Sequence, residues 1–202
     1  MVMIGVSLLY ASVYINIKLF FLFAYYMNAY IDYFFDIFSY GPFFIMVLSW
    51  YLLWNKNILF FYYTIGLFID VILNLVLKGI FQQPRPSEDT YKFNLALTHS
   101  KRIIFKNGMP YDIFGMPSGH SQSVAFSTIF MYFALKDKKL TYIYVIISLL
   151  TMLQRIIYHH HSVFQVIVGA FIGGLMGYLM YFLSGQKLTG FISEKLDDFG
   201  PI

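Results

Sequence analysis

Three separated groups of polar residues interrupt an otherwise apolar chain, and their types suit phosphate chemistry. They are Lys78-x6-Arg85-Pro86, Pro117-Ser118-Gly119-His120 and Arg155-x5-His161-x3-Gln165. Lys78, Arg85 and Arg155 are fixed cations. With the backbone N–H groups of Ser118 and Gly119 at a helix start, they make an anion site that fits a phosphate. The imidazoles of His120 and His161 supply a nucleophile and an acid. The chemistry suggested is phosphoryl transfer in which cationic side chains do the charge neutralisation that Mg²⁺ does elsewhere. Neither a metal nor a cofactor is expected.

The elements that position these groups follow from composition. The chain has 202 residues, 59% hydrophobic and 12% charged, with a mean hydropathy of +0.65. Soluble domains carry about 45–50% apolar and ~25% charged residues, so water cannot be the main solvent of this surface. A membrane span takes about 20 residues of helix. The expectation is an all-α integral membrane protein, a bundle of about six transmembrane helices with a short interfacial amphipathic segment. Its single domain covers 1–202, with a motif-bearing core at about 58–184. The spans are expected at Ile4–Tyr26, Gly41–Trp54, Ile58–Leu77, His120–Leu135, Leu140–Leu153 and Val163–Leu183. Residues 1–17 lack a basic start and read as part of a span rather than a signal peptide. Asp32 and Asp36, four apart among aromatics, mark Asn28–Tyr40 as the interfacial segment. Gly41–Trp54 is short unless it borrows those aromatics. Residues 82–117 form a polar loop expected to cover the site.

Each crossing reverses the side of the membrane. The end of the third span, the start of the fourth, the end of the fifth and the start of the sixth therefore share one face, and the three polar groups converge there.

The groups resemble the signature of the type 2 phosphatidic acid phosphatase (PAP2) superfamily, K-x6-RP, PSGH and SR-x5-H-x3-D. The resemblance implies that Lys78, Arg85 and Arg155 bind phosphate and that His161 forms a phosphohistidine. It also implies that His120 protonates the leaving group, while Ser118 and Gly119 hydrogen-bond phosphoryl oxygens. Two positions depart from the pattern: Gln154 replaces Ser, and Gln165 replaces the Asp that orients the nucleophile. Gln165 lies one turn from His161, so its amide oxygen could accept the Nδ1–H bond, but it supplies no negative charge. The run Gly115 to Gln122 and the segment Tyr158 to Gln165 look like the dolichyl diphosphatase branch, which implies a polyprenyl diphosphate substrate.

Other polar residues read more simply. Consecutive His159, His160 and His161 diverge by about 100° on a helix and are poorly placed to share an ion. Asp70, Asn74 and Lys78 recur every four residues and form one stripe. For Asp70 a hydrogen bond between helices is expected ahead of support for Lys78. Gly169, Gly173 and Gly177 suit close helix packing within the chain. The net charge of +4 belongs to a phosphate site and to loops, so no nucleic-acid partner is expected. The partners are membrane lipids and a lipid phosphate or diphosphate, and the oligomeric state is left open.

Lys56, Lys136, Lys138, Lys139, Lys187 and Lys195 lie opposite the site, against Lys92, Lys101, Arg102 and Lys106 beside it. That imbalance favours cytoplasmic termini and a lumenal or exterior site; for a eukaryotic-type host the resemblance implies the endoplasmic reticulum. Two other functions stay open at this stage: hydrolysis of a monoester such as phosphatidate, and phospholipid binding with weak catalysis because of Gln165.

Overall fold

Along the long helices, apolar side chains face outward and polar ones inward. On Asn57–Phe81, Phe68 and Ile72 are 61% and 60% exposed while Asp70, Asn74 and Lys78 are 0%, 7% and 7% exposed. A helix with this arrangement is solvated by lipid, because water would favour the opposite one.

The computed structural model describes residues 29–106 and 108–186. The chain divides into two units, Met1–Ile37 and Phe38–Ile202. In the first, residues 29–37 are helical; the expected span Ile4–Tyr26 lies outside the described residues. The second begins with a 3₁₀ turn at Phe38–Tyr40. It continues through α1 (Gly41–Leu53), α2 (Asn57–Phe81), α3 (Thr90–Thr98), β1 (Ile103–Lys106), β2 (Met109–Asp112), α4 (Gly119–Leu135), α5 (Lys138–Ile157) and α6 (Val163–Ser184).

Helix ends follow local chemistry. Pro stands in the first turn of α1, where its missing N–H costs nothing. Ser118, Asp137 and Ser162 cap α4, α5 and α6 by accepting backbone N–H bonds. On α6 the cap is reciprocal, with Ser162 and Gln165 each bonding the other's backbone. Four stretches are long and apolar enough to cross a membrane: Ala29–Leu53, Asn57–Phe81, Lys138–Ile157 and Val163–Ser184. The 13 residues of α1 do not suffice alone, and the 25-residue stretch reaches the length only with the aromatic residues before Gly41. The result is an all-α membrane protein with, among the described residues, one small hairpin.

The 17-residue α4 is the axis of the bundle, with Val124, Phe126 and Phe130 fully buried. It runs alongside α6 with almost no side-chain layer between them. A Cβ added at Gly169, Gly173 or Gly177 would strike the backbone of Ser118, Gln122 or Phe126 respectively. Both series climb by four, so the two helices run parallel and their N-termini lie at one end. This is the packing expected of the glycine stripe, within the chain. Helix α2 runs antiparallel to α4, joined by polar contacts: Gln122 Nε2 donates to Asp70 Oδ1 at 2.9 Å, and Asn74 Nδ2 donates to Gln122 Oε1 at 2.8 Å. Asp70 thus has the interhelical role expected of it.

The loop between Gln82 and Pro117 has structure of its own. An antiparallel hairpin pairs Ile103 with Asp112 and Ile104 with Tyr111. Between the strands Gly108 takes φ +78°, a left-handed conformation that glycine adopts without strain. Gly115 N–H donates to the Gln83 carbonyl at 2.7 Å, stitching the loop's two ends together.

Candidate active site

Parity brings the three polar groups together, and the contacts show how tightly. Gln165, at the start of α6, touches all three. Its Nε2 donates to the Pro84 carbonyl at 2.9 Å, and its backbone carbonyl accepts from Ser118 N–H at 3.0 Å. Its Oε1 accepts from Ser162 N–H at 3.2 Å and lies 3.4 Å from His161 Nδ1.

His161 sits in the turn between α5 and α6. His159 there takes a left-handed φ of 54°, and His161 N–H returns to the Arg155 carbonyl at 3.1 Å. This joins the two members of the third group. The ring is buried, with Nδ1 2.8 Å from the Gly115 carbonyl oxygen. A carbonyl only accepts, so Nδ1 carries the proton and Nε2 keeps its lone pair. Burial pushes the His161 pKa down to about 2, helped by the charges of Arg85, Arg155 and Lys78 and opposed by the Gly115 bond. The ring is therefore neutral at pH 7, with Nε2 unprotonated.

The orienting role expected of Gln165 is shared. Gly115 holds Nδ1 at the shorter distance, while the Gln165 amide mainly ties α6 to Pro84 and caps its own helix. Ser118 also differs from expectation. It is wholly buried, its N–H engaged by the Gln165 carbonyl and its Oγ accepting from Ser121. The first turn of α4 then offers the N–H groups of Gly119 and His120, which have no helical acceptor. A Cβ at Gly119 would come within 3.1 Å of Asn74 Oδ1.

Lys78, Arg85 and Arg155 all act electrostatically on both His161 and His120, so the expected cluster of cations is assembled. Arg85 donates from Nε to the Asp112 carbonyl at 3.1 Å and stacks over Tyr111 at 4.4 Å. Burial pushes its pKa down, with Tyr111, Asp112 and Glu88 opposing. Arg155 is buried and donates to Gln154 Oε1 at 3.1 Å, but its Nε has no acceptor. Among the described residues neither Arg85 nor Arg155 has a carboxylate within 4 Å. A buried guanidinium such as that of Arg155, with no carboxylate beside it, is costly, and a bound anion would relieve that cost. His120, at the N-terminus of α4, has Nε2 3.2 Å from the Ser39 carbonyl, which leaves Nδ1 open. It lines a cleft of about 330 Å³ with Pro42, Phe43, Val71 and Leu75. Among the described residues no group of three His, Cys, Asp or Glu side chains is placed to hold a metal ion.

Asp112 is a site residue that the polar groups alone did not reveal. Its carboxylate accepts from Arg102 NH2 at 3.0 Å and from Phe114 N–H at 3.0 Å, and lies 3.5 Å from Lys78 Nζ. The sequence signal was the Asn-Gly pair at 107–108, between strands whose register sets Arg102 beside Asp112.

The sequence pattern defining the PAP2 superfamily matches residues 57–188, the stretch that carries the three polar groups and Asp112. The chain belongs to the PAP2 superfamily. Among the relatives of this PAP2 protein is a dolichyldiphosphatase of Saccharomyces cerevisiae, 31% identical over 156 residues. The match covers 70% of this chain and 59% of the yeast protein, so the chain spans less than two thirds of that relative. No solved structure matches it.

Proposed function

We propose that this PAP2 protein is an integral membrane lipid phosphatase that hydrolyses a polyprenyl, dolichyl-type diphosphate to the monophosphate and phosphate. The observation that carries the reading is the gathering of Lys78, Arg85 and Arg155 around a neutral His161 whose Nε2 is unprotonated. The whole chain, 1–202, is read as one phosphatase domain.

In this reading the terminal phosphoryl group lies among the three cations and the N–H of Gly119, in the turn that Ser118 holds by its bonds to Gln165 and Ser121. His161 Nε2 attacks phosphorus. A nitrogen–phosphorus bond forms as the bond to the lipid monophosphate oxygen breaks. His120, protonated on Nδ1, gives that proton to the departing oxygen. Water then loses a proton to His120 and attacks the phosphohistidine, releasing phosphate and restoring both rings. The developing charge is met by guanidinium and ammonium groups, so no step calls for a metal. The Gly115 carbonyl and Gln165 hold the ring, and supply what an acidic partner would supply in orientation though not in charge.

Resemblance to the dolichyl diphosphatase branch and the yeast relative support the diphosphate over a monoester. The excess of Lys opposite the site supports a lumenal or exterior active site, in the endoplasmic reticulum of a eukaryotic-type host. The test is chemical trapping. Polyprenyl diphosphate radiolabelled in its terminal phosphate should leave an acid-labile, base-stable label on the protein in EDTA. His161→Ala should take no label, and a label retained in that variant would refute the nucleophile.

A further inference from the structure

We propose that Asp112 is an internal counter-ion that competes with the phosphoryl group for Lys78 and so sets how tightly the site holds phosphate. This rests on the reading of Lys78, Arg85 and Arg155 as phosphate ligands, and it adds a residue outside the three sequence groups.

Asp112 makes unequal bonds. Arg102 engages its carboxylate through both Nε and NH2, at 3.0 to 3.3 Å, and Phe114 N–H adds a 3.0 Å bond to Oδ1. Lys78 Nζ reaches the same Oδ2 at 3.5 Å, well beyond the roughly 2.7–2.9 Å of a firm charge-assisted bond. Burial raises the Asp112 pKa, but Arg102, Lys78 and the Phe114 N–H outweigh it and hold the carboxyl below the ordinary range. Asp112 is therefore an anion at neutral pH, anchored by Arg102 and only lightly held by Lys78.

That inequality matters for turnover. When Lys78 swings to a phosphoryl oxygen, Asp112 keeps its Arg102 and Phe114 bonds and is not left as an unpaired buried charge. When phosphate must leave, Asp112 stands ready to take Lys78 back. Arg85 meets Asp112 through its backbone carbonyl rather than its carboxylate, so of the three cations Lys78 is the one the carboxylate holds directly and the one whose loyalty can change. Asp112 touches no reacting atom; it is a positioning residue acting through Lys78.

The test is the binding of inorganic phosphate to the full chain in detergent, read from the rise of its thermal midpoint with phosphate concentration, which needs no turnover. Asp112→Asn should bind phosphate about fivefold tighter, the size of one partly buried charge pair. Arg102→Gln, which leaves Asp112 to Lys78 alone, should bind it more weakly. In a Lys78→Gln background, Asp112→Asn should change nothing, whereas a general electrostatic effect would still tighten binding. Weaker or unchanged phosphate binding in Asp112→Asn would overturn the proposal. So would a tightening that persists without Lys78. If Asp112→Asn does not fold, unchanged or tighter binding in Arg102→Gln overturns it alone. Arg155→Gln serves as the separate control: if it leaves phosphate binding intact, the site reading itself fails, whatever Asp112 does.

Discussion

His161 Nδ1 lies 2.8 Å from the carbonyl oxygen of Gly115, closer than its 3.4 Å approach to Gln165 Oε1. A backbone carbonyl thus fixes the tautomer of the ring at a position where an acidic side chain is usual in the family. The first prediction follows from what Gln165 does instead. Asp at 165 is one methylene shorter and has no amide N–H for the Pro84 carbonyl. Removing the donor from this part-buried bond costs up to about 1–3 kcal/mol. Gln165→Asp should therefore lower both the thermal midpoint and turnover, and a severalfold rise in turnover would mark Gln165 as a defect.

Arg155, read as a phosphate ligand, occupies a position that is unfavourable for stability. Its guanidinium is buried, lacks a carboxylate, and has an Nε without an acceptor. Arg155→Met should abolish turnover while leaving the thermal midpoint unchanged or higher, since apolar replacement of a poorly compensated charge gains up to about 1–4 kcal/mol. Phosphate should raise the midpoint of the parent protein and not of the variant. A variant much less stable than the parent would contradict this.

The α4–α6 contact gives a paired test of packing. A Cβ at Gly173 would collide with the Gln122 backbone, whereas at Gly174 the nearest atom is Ile129 Cγ1 at 3.6 Å, ordinary contact. Gly173→Ala should destabilise by about 1–3 kcal/mol and displace Gln122 from Asp70 and Asn74, while Gly174→Ala should be close to neutral. Equal midpoints for the two variants would count against the packing.

The buried neutral His161 has a consequence for stability. Its folded pKa is pushed from 6.5 down to about 2. Between these values the unfolded chain binds a proton that the folded one does not, so stability falls as pH falls below 6.5 and is unaffected above it. His161→Asn removes that term. The variant should lose less stability than the parent between pH 7 and pH 5, measured by thermal unfolding without phosphate, and identical losses would contradict the burial of a neutral ring.

Much of this was legible in the residues. The spacing of Lys78, Arg85, Arg155 and His161, with parity of the crossings, placed the site at one end of the bundle. The stripe of Asp70, Asn74 and Lys78 pointed inward as expected, and Gly169, Gly173 and Gly177 pack against α4. What stayed hidden was carried by the backbone. The Gly115 carbonyl has no side-chain signature, and nothing in the sequence says that Ser118 N–H is engaged by the Gln165 carbonyl. Asp112 depended on hairpin register: Asn107-Gly108 marks a turn, yet only its pairing of Ile103 with Asp112 places Arg102, and through it the carboxylate, against Lys78.

The most direct test is phosphate release by the purified full chain in detergent with EDTA, given a polyprenyl diphosphate. The account predicts phosphate and accumulating polyprenyl monophosphate from the parent protein, and none from His161→Ala. It is contradicted if no phosphate is released from this lipid or from phosphatidate, or if His161→Ala releases it as the parent does.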